Sequence, residues 1–242
     1  ARLTSDSRIG IVNRGEPAVR FIRAVRDYNE THGTRLQTVA LFLDEEADSV
    51  FVREADVALA FRELPGATQT GGAYLDHEVL LSALAATQCD AVWPGWGFVS
   101  EDAGFVEKVE RSGLLFLGPD ARSMALLGDK IAAKDLAERS QVPILPWSKR
   151  SIRDLEDAEA VSDAIGYPVI VKAAHAGGGR GIRFVMTPEQ LPEQFRSAVE
   201  ETQRITGDTV VFIERLVVKG RHLEVQCVAD GAGHVETYGV RD

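Results

Sequence analysis

The chain has little that would take it out of ordinary aqueous folding. It holds only two cysteines, Cys89 and Cys227, and their separation fits no metal-ligand spacing. Both stand in apolar surroundings and read as buried free thiols, in keeping with a reducing compartment. Positive charge is outweighed: the sum is -10 at neutral pH, which argues against a general nucleic-acid binder, since that needs a basic surface. A local basic pocket for a phosphorylated ligand stays open. No apolar run approaches the ~20 residues that span a bilayer. The opening ARLTSDSRIGIVNRG lacks the apolar core of a signal peptide. A cytoplasmic protein that contacts neither membrane nor nucleic acid is therefore expected. There is no internal repeat and no low-complexity segment. What is there, 45% hydrophobic and 26% charged residues over 242 positions, is a globular composition. It is long enough to build a core without disulfides, as one large domain or two smaller ones.

Strand and helix patterns alternate over roughly the first 120 residues. RIGIVN, TVALFL, VALA, DAVWPG and LLFLG read as strands. Between them, RGEPAVRFIRAVRDYNE, YLDHEVLLSALAAT and DAGFVEKVERSG read as helices. Pro17 suits a first helical turn, and Val19, Ile22, Val25 and Arg26 recur at helical spacing. Ser100, in SED, reads as the cap of the third helix, and Gly113 closes it. This alternation predicts an open parallel sheet wrapped by helices. Ligands bind such sheets beyond the carboxyl ends of the strands, so NRGEPA and PGWGFVSED are expected on one edge.

The pattern changes after Gly118. Two short helices meet at Gly128, Asp129 and Lys130, and an extended segment holds Pro143 and Pro146. DLEDAEAVSDAIG reads as a helix and YPVIVKAA as a strand. IRFVM, DTVVFIERLV, RHLEVQCVAD and HVETYGV are further strands. TPEQLPEQFRSAVEETQ is a helix with Thr187 as cap and Pro188 in its first position. Short turns between adjacent strands predict antiparallel pairing and an α+β arrangement. The final YGVRD still reads as strand, so the sequence is expected to be part of a longer protein.

The segment GYPVIVKAAHAGGGRGIRFV, residues 166–185, carries the strongest chemical signal. Glycine backbones approach phosphates closely, and their N–H groups form an anion-binding concavity. Lys172, ending the strand before them, adds a point charge. No G-K-[ST] follows, and the loop leads into a strand rather than a helix. A hairpin folding over phosphates fits better than a Walker motif or a dinucleotide turn. A ligand-free mobile hairpin is the alternative. In FIERLV, strand alternation puts Phe212 and Glu214 on one face and Ile213 and Arg215 on the other. Glu214 can accept from a purine amino group or serve as a sheet-edge charge. In RHLEVQ, His222, Glu224 and Gln226 are expected on one face, as ribose or phosphate contacts or as a solvated surface. Lys130, in GDKIAAK, starts a helix, where a surface lysine is the ordinary case. WPGWGF is either an apolar plug or a ligand-facing loop.

In order along the chain, NRGEPAVRFIRA, PGWGFVSED, GPDARSMALLGDKIAAK, YPVIVKAAHAGGGRGIR and IERLV followed by GRHLEVQ resemble biotin carboxylase, the ATP-grasp component of biotin-dependent carboxylases. The resemblance implies an α/β fold: a Rossmann-like domain over residues 1–128, a helical linker over 129–146, an α+β ATP-grasp lid over 147–218, and the first strands of a C-terminal ATP-grasp domain over 219–242. It implies ATP- and bicarbonate-dependent carboxylation of biotin on a carrier. Such a reaction needs Mg2+ or Mn2+ and cations around the transferring phosphoryl group. Its partners would be a biotin carboxyl carrier domain, a carboxyltransferase subunit or domain, and in some assemblies a second copy of the chain. By position, Lys130 and Lys172 would bind ATP phosphates. Gly177, Gly178, Gly179 and Gly181 would form the lid loop, mobile without nucleotide. Glu214, Arg215 and Val217 would hold adenine, and His222 would lie near ribose and phosphates. Trp96 and Gly97 would face biotin.

The sequence departs from the family pattern at Ala176, where a glycine is usual, and at Trp96, often a tyrosine. The metal ligands and the catalytic carboxyl-transfer residues would lie beyond Asp242, so these 242 residues alone are expected to be inactive. Two other readings stay open: another ATP-grasp ligase, such as a carbamoyl-phosphate synthetase half or a purine-pathway carboxylase-like enzyme, and a nucleotide-binding module without catalysis. The carboxyl acceptor, as in acetyl-CoA carboxylase of fatty acid biosynthesis or another acyl-CoA or pyruvate enzyme, is not named by these residues.

Overall fold

The central strand of the first sheet is β1 (Arg8–Ile11), short and buried on both sides. The computed structural model describes residues 3–68, 70–175 and 180–242. They fall into two units, Ala1–Asp129 and Lys130–Asp242. In the first unit β1 is followed by α1 (Gly15–His32), β2 (Gln37–Phe42), α2 (Val50–Glu54) and β3 (Val57–Ala60). Then come α3 (His77–Ala86), β4 (Ala91–Trp93), α4 (Ala103–Arg111), β5 (Leu115–Phe116) and α5 (Ala121–Gly128). All strand pairs are parallel, in the order β3-β2-β1-β4-β5. The expected doubly wound sheet is therefore present.

Alternation along the strands sends side chains to two cores. Ile9, Ile11 and Ala40 meet Ala18, Ile22 and Val25 of α1 and Phe51 of α2. Val12, Val39, Leu41 and Val92 meet Val79, Leu80 and Leu84 of α3 and Phe105, Val106 and Val109 of α4. Each large apolar side chain buried this way contributes about 1.5–3 kcal/mol. Gly10 is the close approach that lets α3 lie down on β1: a Cβ there would stand 2.1 Å from Leu84 Cδ2.

Two expected caps lie elsewhere. Asp102, not Ser100, caps α4, its carboxylate accepting the Phe105 N–H at 2.9 Å. Ser100 is two residues too early, in a turn closed by its own N–H on Gly97 O. Thr187 makes no side-chain cap: a 3-10 turn over Pro188–Gln190 separates it from the helix, which begins at Leu191.

The second unit holds α6 (Lys130–Arg139), α7 (Leu155–Ile165), β6 (Val169–Ala173), β7 (Ile182–Val185) and α8 (Leu191–Thr206). It ends in β8 (Val211–Arg215), β9 (Glu224–Ala229) and β10 (Val235–Arg241). β7, β6 and β8 form an antiparallel sheet in that order, and β9 and β10 an antiparallel hairpin. One face of the three-stranded sheet (Val169, Val171, Val185, Val211 and Ile213) packs on Ala158 of α7 and on Leu191 and Ala198 of α8. The other face is free of these helices. Among the described residues no helix is long and apolar enough to cross a membrane.

The hairpin corrects two expectations. The ladder stops at the pair Arg241–Glu224, so His222 precedes the strand and does not share its alternation. Cys227 is exposed, unlike Cys89, because β9 is exposed along its whole length. Burial raises the pKa of the Cys89 thiol, while its neighbour Thr87 lowers it less. A thiol-reactive dye in native buffer is therefore expected to label Cys227 rapidly and Cys89 only after unfolding. Equal rates for the two would contradict this packing.

Candidate functional site

The face of the β7-β6-β8 sheet opposite α7 and α8 gathers the charged groups. Register pairs Ile170 with Glu214 and Lys172 with Phe212, so these four side chains share that face. Lys172 Nζ donates to Glu214 Oε1. From α6, Lys134 Nζ reaches Glu214 Oε2 at 2.5 Å. The segment before α7 runs along the outer edge of β8, with Trp147 opposite Glu214. The Trp147 indole stands edge-on to Phe212, with ring centroids 6.2 Å apart, and lies 5.7 Å from the Lys134 ammonium. Glu214 is thus 5% exposed, with one ammonium on each carboxylate oxygen. Burial pushes its pKa up, but the hydrogen bonds from Lys134 and Lys172 push harder, and the net shift is down. The carboxylate is ionised at neutral pH, and the three groups together carry one net positive charge.

Lys130 opens α6, and its Nζ lies 3.4 Å from Ala174 O, just past the end of β6. The fold therefore brings Lys130, Lys172 and Glu214 to one region around β6. Gly181 sits at φ +66°, where a Cβ would meet Ala173 Cβ at 2.7 Å, so this return of the hairpin requires glycine. Gly177, Gly178 and Gly179, with Ala176, lie outside the described residues. The Arg215 side chain turns to the other face, donating to Gly166 O at 2.8 Å and Ile165 O at 3.3 Å. It closes the carboxyl end of α7 and is not available as a side-chain ligand on the Glu214 face. Val217 is exposed beyond β8. His222 is also exposed, with Nε2 3.8 Å from the Glu224 carboxylate. The sequence reading missed Lys134 and Trp147. The spacing of Lys134 four residues after Lys130, on one helix face, was the available signal.

In the first unit a second constellation lies at the carboxyl ends of β1 and β4, where the strand order reverses. Asn13 is almost fully buried. Its amide donates to Pro94 O at 2.8 Å and Trp96 O at 2.9 Å, and its oxygen accepts the Arg14 N–H. The two loops expected on one edge are thus tied together. Trp93 packs inward, stacked on Phe21 at 4.3 Å, while Trp96 is 70% exposed. Gly97 follows at φ +83°. Beside them Arg14 pairs with Glu46 at 2.9 Å, and the buried Tyr74 hydroxyl lies 2.8 Å from both Glu46 Oε2 and Leu41 O, with one proton shared between the two acceptors. Among the described residues no cluster of three His, Cys, Asp or Glu could hold a metal ion.

Residues 5–124 match the family described as biotin carboxylase, N-terminal domain. Residues 129–242 match carbamoyl-phosphate synthase L chain, ATP binding domain. The chain is 36% identical over 236 residues to the biotin-dependent acyl-coenzyme A carboxylase alpha3 subunit of Mycobacterium leprae (strain TN), an alignment covering 98% of this chain and 38% of that protein. It superposes on the crystal structure of a biotin carboxylase-beta-gamma-ATP complex from Campylobacter jejuni with a TM-score of 0.87 and 32% identity, over 96% of this chain and 50% of that one. A similar likeness, TM-score 0.86 and 32% identity over 97% and 49%, holds for the biotin carboxylase domain dimer of Hydrogenobacter thermophilus 2-oxoglutarate carboxylase in complex with MgADP, ADP and bicarbonate. The chain thus spans half or less of the length of each of these relatives. With two adjoining domains matched along nearly all of its length, and relatives of one kind by sequence and by structure, the chain belongs to the biotin carboxylase family, of which it represents the N-terminal portion.

Proposed function

We propose that this chain supplies the ATP-binding half of a ligase that carboxylates biotin on a carrier protein, using ATP, a divalent cation and bicarbonate in the cytoplasm. The observation that carries this is the convergence of Lys172, Lys134 and Glu214 on the sheet face opposite α7 and α8, with Lys130 at the end of β6. Lys172 and Lys130 would neutralise phosphate oxygens, and Glu214 would accept from the purine amino group. ATP supplies the phosphoryl group that activates bicarbonate. The described residues offer no metal cluster, so on this assignment the metal ligands and the carboxyl-transfer groups belong to the remainder of a longer protein. The Trp96–Gly97 loop would face biotin, the carrier and carboxyltransferase would be partners, and the carboxyltransferase would choose the final acceptor. Residues 1–128, 129–146, 147–218 and 219–242 would serve as Rossmann-like domain, linker, lid and start of the catalytic domain.

The test is phosphate release with and without bicarbonate and free biotin. The 242-residue chain is expected to bind ATP without bicarbonate-dependent turnover, and a longer protein containing it to turn over only when bicarbonate is present. Bicarbonate-dependent turnover by the 242 residues alone would show that the catalytic groups have been misplaced. Turnover that requires ammonia and ignores biotin would replace this proposal with a carbamoyl-phosphate-type ligase.

A further inference from the structure

The geometry points to Lys134 as a positioning residue that fits the site to adenine nucleotides. It does so by keeping Glu214 ionised and aimed once Lys172 has been drawn away. This rests on the nucleotide assignment above. Without ligand, the two oxygens of Glu214 are divided between two lysines from different elements: Lys172 on Oε1 from β6, Lys134 on Oε2 from α6. Lys172 is assigned to phosphate, so a bound nucleotide competes for it. When it moves, Oε1 loses its ammonium and becomes the oxygen open to an exocyclic amine. Lys134 has a different setting. It is the less exposed of the two, with 19% of its side chain accessible against 27% for Lys172, and its ammonium lies beside the Trp147 ring, an attraction that holds it in place.

The charge balance makes the second lysine necessary. A carboxylate 5% exposed with no cation beside it is driven toward its neutral form by desolvation. Protonated, the carboxyl becomes a donor as well as an acceptor. It would then suit the carbonyl of guanine as well as the amino group of adenine. With Lys134 in place it stays a pure acceptor, which matches adenine and opposes guanine. Other charged groups nearby are Glu138, which accepts from Trp147 Nε1 at 3.3 Å, Lys149, which pairs with Glu138 at 3.2 Å, and Lys130, whose ammonium lies at Ala174 O past the end of β6. Glu138 and Lys149 neutralise each other, and the ammoniums on the two oxygens of Glu214 are those of Lys172 and Lys134, which leaves the task to Lys134.

Two measurements test this on the 242-residue chain. The first is the ¹³C titration of the Glu214 carboxyl without nucleotide. In Lys172→Met it is expected to stay ionised at neutral pH, and in Lys134→Met with Lys172→Met its midpoint is expected to rise. The second is calorimetric titration of ATP and GTP. Lys134→Met is expected to lose about 10-fold in ATP affinity and to lower the ATP-over-GTP ratio by a similar factor, with Lys134→Arg restoring much of both. Natural chain that binds neither nucleotide would overturn the site assignment and this inference with it. Natural chain that prefers ATP, with the same preference in Lys134→Met or the same Glu214 titration with and without Lys134, would overturn the inference alone.

Discussion

Replacing Lys172 by Gln is expected to lower ATP affinity by one to two orders of magnitude, and Lys130→Gln is expected to do the same through a separate contact. Glutamine keeps the length of the stem and removes the charge. Charge-assisted hydrogen bonds to phosphate contribute about 1.5–3 kcal/mol each, or roughly 10- to 150-fold in affinity. For Lys172 the value falls toward the lower end, because binding must first separate it from Glu214. That exchange is cheap to the extent that Lys172 is partly solvated and that Lys134 remains on the other oxygen. Lys130 Nζ lies 3.4 Å from Ala174 O, at the end of β6, so its substitution tests a phosphate contact made from a second element. Calorimetric ATP titration of both variants, with Lys108→Gln as a surface control from the Glu78 pair, measures this. Unchanged affinity in both variants would remove these lysines from the site.

Much of this arrangement was legible in the sequence because it depends on local pattern. The strands of the first sheet are short apolar runs bounded by turn residues, and the helices between them carry their apolar positions at helical spacing. Glu214 and Lys172 could be placed on a sheet because strand alternation fixes a face without knowledge of the partner strand. Their mutual contact could not be read, since it requires the register of β6 against β8. Arg215 shows the converse. The same alternation put it on the opposite face, yet only the packed structure shows its guanidinium spent on the carbonyls that end α7. Ser100 and Thr187 were reasonable caps by residue type, but a cap depends on where the chain turns, and one 3-10 turn moves it by several residues. Cys227 and the face of His222 were misread for different reasons: burial depends on what covers a strand, and β9 is exposed along its whole length, while His222 falls outside the alternation because the ladder ends at Glu224.

Asn13 was invisible as a functional residue because its partners stand 81 and 83 positions away, and it carries the largest stability prediction. Asn13→Ala is expected to destabilise the first unit by about 1–3 kcal/mol, since it leaves two carbonyls and one N–H without this partner, the Pro94 carbonyl in a buried setting. Asn13→Asp is expected to cost at least as much. It keeps an acceptor for the Arg14 N–H but turns a carboxylate oxygen toward Pro94 O and Trp96 O, where the amide had placed a donor. No neighbouring residue takes over easily, because Gly95, at φ +62°, already lies so close that a Cβ would stand 2.7 Å from Asn13 Nδ2. The consequence for function follows from the same bonds. The loop that presents Trp96 and Gly97 is anchored through its backbone, while the Trp96 side chain is exposed and contributes little to stability. Trp96→Phe should therefore leave the urea unfolding midpoint nearly unchanged, and Asn13→Ala should lower it clearly. In a longer protein that carboxylates free biotin, both variants should raise the KM for biotin, but only Asn13→Ala should also lower stability. An Asn13→Ala chain that unfolds within about 0.5 kcal/mol of the natural one, the range of an ordinary surface substitution, would show that the two loops hold together without this amide.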